Sequence, residues 1–262
     1  MGEGLLRDIL TLVLGLVSGI LSGVFGIGGA IITTPGVRLL GASAFLAVGT
    51  TLPPILVSAA SGTVRYVKEG LIDRRVLMET APTGLVAVVA GSFASHALPG
   101  EGHWLMVLTA VLLVLSAVRM ATSTEPGEGT DSRSTPPRRD SVLVGAAVGG
   151  GAGLLSGLLG IGGGAVLVPA FSQVMGLRLK ESIATSLACV GILAVPGTVV
   201  HAALGDVDWR LALLLSVAVV PGARLGAVVA IRARNRRLRT AVAVLLGAIG
   251  VGYGIGELLV LL

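Results

Sequence analysis

Apolar residues run in long blocks along this chain, and polar residues fall between the blocks rather than alternating with them. The first block runs from Leu5 to about Phe25 and ends in the glycine-rich turn "SGVFGIGGA", Ser22 to Ala30. A shorter apolar piece follows, Ala30 to about Leu40, and then three full-length runs near Ser43–Val64, Val76–Leu98 and Trp104–Met120. After a polar stretch the order repeats. Val142–Leu159 leads into a second turn, "SGLLGIGGG", Ser156 to Gly164, followed by Ala165–Met175, Ser182–Leu204, Leu211–Ile231 and Thr240–Leu262. Blocks of about 18 residues or more with almost no charge are long enough to cross a bilayer as helices. They are too long and too uniformly apolar for barrel strands. The pattern predicts an all-α polytopic membrane protein.

The two apolar regions are copies of each other. Ser22-Gly23 aligns with Ser156-Gly157, and Pro35 with Pro169, at an offset of 134. After one inserted residue Thr50-Thr51-Leu52 matches Thr185-Ser186-Leu187. Gly62-Thr63 then matches Gly197-Thr198, Asp73 matches Asp208, and Gly91 matches Gly226. A register held this long marks an internal duplication. The stretch between the copies, "TSTEPGEGTDSRSTPPRRD", is rich in Pro, Gly, Ser, Thr and charge and reads as a polar linker. The chain thus divides into repeat 1 (1–121), a linker (122–140) and repeat 2 (141–262).

Each glycine turn has two possible geometries. It is either a kink within one crossing, giving four crossings per repeat, or a reversal that makes a hairpin. With a reversal each repeat has odd parity and the second is inverted relative to the first. The basic residues distinguish the two. Of the 19 Lys and Arg, Arg224 lies inside an apolar run. Kinks divide the other eighteen ten to eight between the two sides; hairpins leave only Arg7, Arg38 and Arg210 on one side. Cytoplasmic loops carry an excess of Lys and Arg, so the charges favour hairpins and two inverted repeats. Each repeat is then a Gly-tipped helical hairpin plus three transmembrane helices. The linker and the "RARNRRLR" loop fall in the cytoplasm and both termini outside.

Composition agrees. The chain is 53% hydrophobic and 13% charged, with a mean hydropathy of +0.94. Soluble domains carry about twice that charged fraction. The 40 glycines allow close helix approach where lipid supplies no hydrophobic drive. Cys189 is the single cysteine, which excludes an internal disulfide and a cysteine-rich metal site. The net charge of +5 raises nucleic acid as a partner, but in a membrane protein it marks cytoplasmic loops, and no nucleic acid is expected. The N-terminal run has the hydrophobicity of a signal peptide. It lacks a small-residue cleavage site and has a counterpart in repeat 2, so it reads as part of the folded protein.

Interrupted helices in inverted repeats are a recurring design of secondary transporters, with the substrate near the midplane. A helix that starts inside the membrane leaves unpaired N–H groups and the positive end of its dipole there, and both attract an anion. Gly26, Gly28 and Gly29, and Gly160, Gly162, Gly163 and Gly164, are the candidate substrate-binding residues, although tight helix packing alone also asks for glycine. The hydroxyls of Thr50, Thr51, Thr185 and Ser186 are further candidates; bonding to a carbonyl one turn back is their structural alternative. Pro53-Pro54 and Pro196-Gly197 predict local unwinding of these helices. His201, Arg224 and Glu79 are the candidates for coupling or gating: a histidine can carry a proton, and intramembrane charge is costly and often functional. Arg224 is also placed to snorkel toward the cytoplasmic face. Glu79 and Asp206 lie near span ends, where solvation is expected.

The residues "GxxSGxxGIGGG" (Gly153, Ser156, Gly157, Gly160 to Gly164), Pro169, "ATSL" (Ala184 to Leu187), His201, "GDVDW" (Gly205 to Trp209) and "PGARLGA" (Pro221 to Ala227) together resemble the sulfite exporter TauE/SafE family of bacterial permeases. The resemblance extends over both apolar regions. It implies transport of a small sulfur-containing anion, such as sulfite or an organosulfonate, across the cell membrane. Repeat 1 departs from the pattern: Ala30 stands where repeat 2 has Gly164, and Tyr66 where it has His201. No P-loop, HExxH or CxxC motif is present, so neither an enzyme, a cofactor nor a metal site is expected. The predicted function is alternating-access transport of a small anion in the lipid bilayer. A passive channel, or a permease for a carboxylate or metal ion, is the other reading, and the sequence is compatible with a homodimer.

Overall fold

The computed structural model describes residues 2–97, 103–122, 142–160 and 162–261. The linker predicted at 122–140 lies, apart from Thr122, outside the described residues, as does Ile161 of the second glycine turn. Every described element is helical. They are α1 (Gly2–Phe25), α2 (Ala30–Leu39), α3 (Ala44–Lys68), α4 (Arg74–Ala97), α5 (His103–Thr122), α6 (Val142–Leu159), α7 (Gly164–Gln173), α8 (Leu179–Leu204), α9 (Trp209–Arg232) and α10 (Asn235–Leu261). Among the described residues, seven of these helices are long and apolar enough to cross a membrane.

The glycine turns reverse the chain. On α2, Gly36 faces the side chain of Leu14 on α1. Nearer the tip, the Ser18 hydroxyl donates to the Gly29 carbonyl at 3.2 Å. Successive contacts therefore move back along α1, as in a hairpin. The second turn folds the same way, with Gly163 against the Ala152 carbonyl of α6. α2 and α7 have 10 residues each, about 15 Å of helix, which is half the roughly 30 Å hydrocarbon thickness.

Glycine seams join the two repeats. Along α1, Gly15, Gly19 and Gly23 meet Leu215, Val219 and Ala223 of α9. Along α6, Gly149, Gly153 and Gly157 meet Thr80, Gly84 and Val88 of α4. A methyl group on Gly19 would lie 2.5 Å from the Val219 carbonyl, and one on Gly153 2.3 Å from the Gly84 carbonyl. Only glycine permits this backbone approach, which replaces hydrophobic drive with dispersion contact. In both seams residue numbers rise together, so α1 runs parallel to α9 and α4 parallel to α6. The start of α9 is tied to the start of α1 by the Arg210–Asp8 ion pair at 2.8 Å. The Lys180 ammonium, at the start of α8, donates to the Ile231 carbonyl at the end of α9 at 2.6 Å.

α3 and α8 cross between these seams. The expected unwinding at their prolines is not found: α3 is helical through Pro53-Pro54 and α8 through Pro196. Both are packed from several sides, so neighbours hold the helix where the proline removes a hydrogen bond. The "IDRR" and "VDWR" segments form helix starts. Asp73 Oδ1 accepts from the amides of Arg75 and Val76, and Asp208 Oδ1 from those of Arg210 and Leu211, all at 3.0–3.1 Å. These are side-chain N-caps.

Candidate functional site

The two hairpin tips meet in the middle of the protein. Gly26, Gly28 and Gly29 have φ of 70°, 81° and 80°, and Gly160, Gly162 and Gly163 have φ of 63°, 77° and 70°. This left-handed backbone is open to glycine at little cost and lets each chain reverse within four residues. Gly29 and Gly163 each sit at the N-cap of their half-helix. The Gly29 carbonyl accepts from the Ile32 and Thr33 amides, and the Gly163 carbonyl from those of Val166 and Leu167. The amides before these lie ahead of the first helical bond, as at any helix N-terminus. Here they are buried, since Ala30 is fully enclosed and Ile31 nearly so.

Both tips rest on the same two side chains. A methyl on Gly28 would meet Val190 Cγ1 at 2.7 Å and Ile55 Cγ2 at 3.1 Å. A methyl on Gly162 would meet Val190 Cγ1 at 3.0 Å and Ile55 Cδ1 at 3.4 Å. Ile55 of α3 and Val190 of α8 occupy equivalent positions in the duplication, and both are buried. Sequence reasoning missed them; their signal is an aliphatic pair one turn beyond the hydroxyls at matched repeat positions. The tips also touch directly. The Cβ position of Gly164 lies 2.5 Å from Ile27 Cα and 2.8 Å from the Gly26 carbonyl. This explains why repeat 2 has glycine where repeat 1 has Ala30.

Of the four expected hydroxyls, the structure brings one directly to a tip. Ser186 Oγ donates to the Gly26 carbonyl at 2.9 Å. Thr51 Oγ1 bonds the Val48 carbonyl at 2.9 Å and lies 3.3 Å from Thr34 Oγ1 of α2. Thr50 and Thr185 face elsewhere. Thr50 Oγ1 accepts from the Asp208 amide at 2.8 Å, and Thr185 Oγ1 from the Asp73 amide at 3.0 Å. These matched bonds tie each central helix to the helix start of the opposite repeat.

The coupling candidates lie at separate places. His201 is fully buried, with Nδ1 3.0 Å from Asp206 Oδ2. The Asp206 side chain is only 14% exposed, so its expected solvation gives way to this contact. Glu79 is likewise not solvated: its side chain is 10% exposed, packs beside Gly145 and pairs with Arg75 at 2.9 Å. Arg224 lies on the exposed side of α9. The repeat counterpart of His201 is Tyr66, whose hydroxyl donates to the Gly23 carbonyl. A second mismatch lies nearby. Ser22 and Ser58 bond through their hydroxyls. Their counterparts are Ser156 and Leu193, and among the described residues the buried Ser156 hydroxyl has no partner.

Comparison with known proteins gives a consistent result. The sequence profile of the family described as Sulfite exporter TauE/SafE matches residues 11–253. A probable membrane transporter protein of Bacillus subtilis, YunE, is 28% identical over 88% of this chain and 90% of its own length. A probable membrane transporter protein of Xylella fastidiosa is 26% identical over 86% of the chain and 85% of its own. One of Methanocaldococcus jannaschii is 24% identical over 95% and 96%. No solved structure matches the chain.

Proposed function

The chain belongs to the sulfite exporter TauE/SafE family, and from that premise we propose that it is a secondary transporter moving sulfite or a short organosulfonate by alternating access. It is a multi-pass membrane protein whose relatives are probable membrane transporters. The observation that carries the substrate class is the convergence of two half-helix N-termini on Ile55 and Val190. Their amides and dipoles favour an anion, and neither depends on a buried Lys or Arg. Gly28, Gly29, Gly162 and Gly163 would present the amides, and Ser186 would support the first tip. The tips now touch each other and rest on Ile55 and Val190, so the anion enters when the tips part and these side chains withdraw.

The reading includes two repeats inverted in the membrane. It is supported by the parallel α1–α9 and α4–α6 seams and by the reversal at each tip. It also assigns the moving units. The seams bind α1 to α9 and α4 to α6, so each unit would draw helices from both repeats rather than rock as one sequence half. The linker and the loop holding Arg236 would be cytoplasmic. With Cys189 replaced, Ser134→Cys and Arg236→Cys should resist an impermeant thiol reagent added outside intact cells; labelling of either refutes the orientation.

The function is tested with purified protein in proteoliposomes. Sulfite and short organosulfonates should enter, compete with one another, and respond to an imposed proton gradient. If none moves or competes, the anion assignment fails. Movement insensitive to any gradient would instead favour a passive channel.

A further inference from the structure

A cavity of about 770 Å³ opens beside α3 and α8, with the start of α4 as its third wall. Ile55 and Val190 face the glycine tips, while their chain neighbours Leu56 and Gly191 line this groove. On α3 it extends from Leu56 to Val67, about 16 Å at helical rise. That is the depth of one leaflet of a roughly 30 Å hydrocarbon layer. The lining is almost wholly aliphatic, and two polar groups interrupt it. Arg74 lines the groove beside Gly70 of the α3–α4 turn. Thr63 is set one turn deeper than Val67, and its buried hydroxyl has no hydrogen-bond partner among the described residues.

Two neighbouring cations are engaged. Arg65 pairs with Glu69 at 3.1 Å and Arg75 with Glu79 at 2.9 Å. Arg74 is exposed and has no ion pair among the described residues. The equivalent rim in repeat 2 lacks this chemistry: Trp209 replaces Arg74, Val200 replaces Arg65 and Ala203 replaces Lys68. These three basic positions therefore have no basic counterparts at the matched end of repeat 2. Basic pockets between transmembrane helices, at headgroup level, suit anionic lipids.

We propose that this groove holds one acyl chain of an anionic phospholipid from the leaflet on the Arg74 side. Arg74 meets the phosphate, and the Thr63 side chain, which lines the groove with its hydroxyl turned inward, rotates about χ1 to donate to an ester carbonyl below it. The chain lies against the flanks of the two helices that carry Ile55 and Val190, so it adjoins elements that would shift during the proposed transport cycle. A second copy of the protein fits less well, because an isologous contact through this groove brings Arg74 toward its own equivalent.

The test is native mass spectrometry of the full chain after reconstitution into nanodiscs of equal phosphatidylglycerol and phosphatidylcholine and release into mild detergent. Wild type should retain one lipid, mainly phosphatidylglycerol. Arg74→Gln should lower the phosphatidylglycerol preference about fivefold, the contribution of one interfacial cation. Ala60→Phe, from an exposed position on the groove wall, should displace the lipid. Val195→Trp blocks the groove from α8 and serves if Ala60→Phe does not fold. The proposal is overturned if wild type retains no lipid or shows no headgroup preference. It is equally overturned if Arg74→Gln leaves the preference unchanged or the blocking variant keeps its lipid. Conversion of a dimer to a monomer by that variant would assign the groove to a second copy instead.

Discussion

Replacing Gly164 by alanine probes the contact between the hairpins with one methyl group. In the structure that methyl would lie 2.5 Å from Ile27 Cα and 2.8 Å from the Gly26 carbonyl. Carbon atoms settle at about 3.5–4.0 Å, so the tips must separate by about 1 Å. Both opposing atoms are backbone, held in a turn with φ of 70° at Gly26 and 81° at Gly28, and no side-chain rotation relieves the contact. Overpacking of this kind costs about 1–3 kcal/mol, which at about 2–4 °C per kcal/mol lowers the melting temperature in detergent by about 2–12 °C. Transport should fall further than stability. A site whose groups are displaced by about 1 Å loses on the order of 100-fold in rate, and the displaced groups here are the amides proposed to hold the anion. Ala30→Gly is the matched control: it removes the equivalent methyl, which is already accommodated, and should cost about 0.5–1 kcal/mol with transport retained. Sulfite uptake into proteoliposomes and thermal melting are the two readouts. Wild-type uptake and wild-type melting in Gly164→Ala together would refute the contact between the tips.

Thr50→Val and Thr185→Val should each leave the amide of Asp208 or Asp73 without its acceptor, costing about 1–3 kcal/mol of stability, while the KM for sulfite stays unchanged. A raised KM without loss of stability would return these hydroxyls to the anion site. Ser22→Ala should destabilise by about 1 kcal/mol through loss of the Ser58 bond. Ser156→Ala, which removes a buried hydroxyl without a partner among the described residues, should be neutral or stabilising; equal losses in the two melts would contradict the asymmetry. His201→Gln should abolish stimulation of uptake by a proton gradient yet leave exchange at zero gradient. Persistence of the stimulation removes His201 from coupling.

The helical fold was legible because lipid imposes it: apolar runs of spanning length have few other structures available. The chain reversals were legible in the placement of Arg7, Arg38 and Arg210, since charge distribution reports chain parity without any knowledge of packing. Helix continuity through Pro53-Pro54 and Pro196 was not, because it depends on which neighbours support the helix. The hydroxyls show the same limit more sharply. Thr50 and Thr51 are adjacent, yet one bonds the Asp208 amide of repeat 2 and the other faces Thr34 of α2. Adjacent helical positions differ by about 100° in direction, and only the α3–α8 crossing determines which direction meets a hairpin. The same geometry hid Ile55 and Val190, ordinary aliphatic residues whose significance lies in what they touch. Asp206 looked like a solvated residue at a helix end until the fold placed its carboxylate against His201.

The departures from symmetry occupy matched positions. At one, Tyr66 holds the Gly23 carbonyl at the α1–α9 seam; at the other, His201 turns to Asp206. The tyrosine bond is between neutral groups, contributes about 0.5–1.5 kcal/mol and reaches 43 residues back along the chain to α1. The histidine contact is local: Asp206 lies five residues on, just past the Gly205 cap of α8. Tyr66 thus ties the end of α3 to the α1–α9 seam, while His201 and Asp206 close the end of α8 on itself. The two ends of the α3–α8 pair are therefore chemically distinct although their positions match, and the difference leaves the conformation of the glycine tips the same in both repeats.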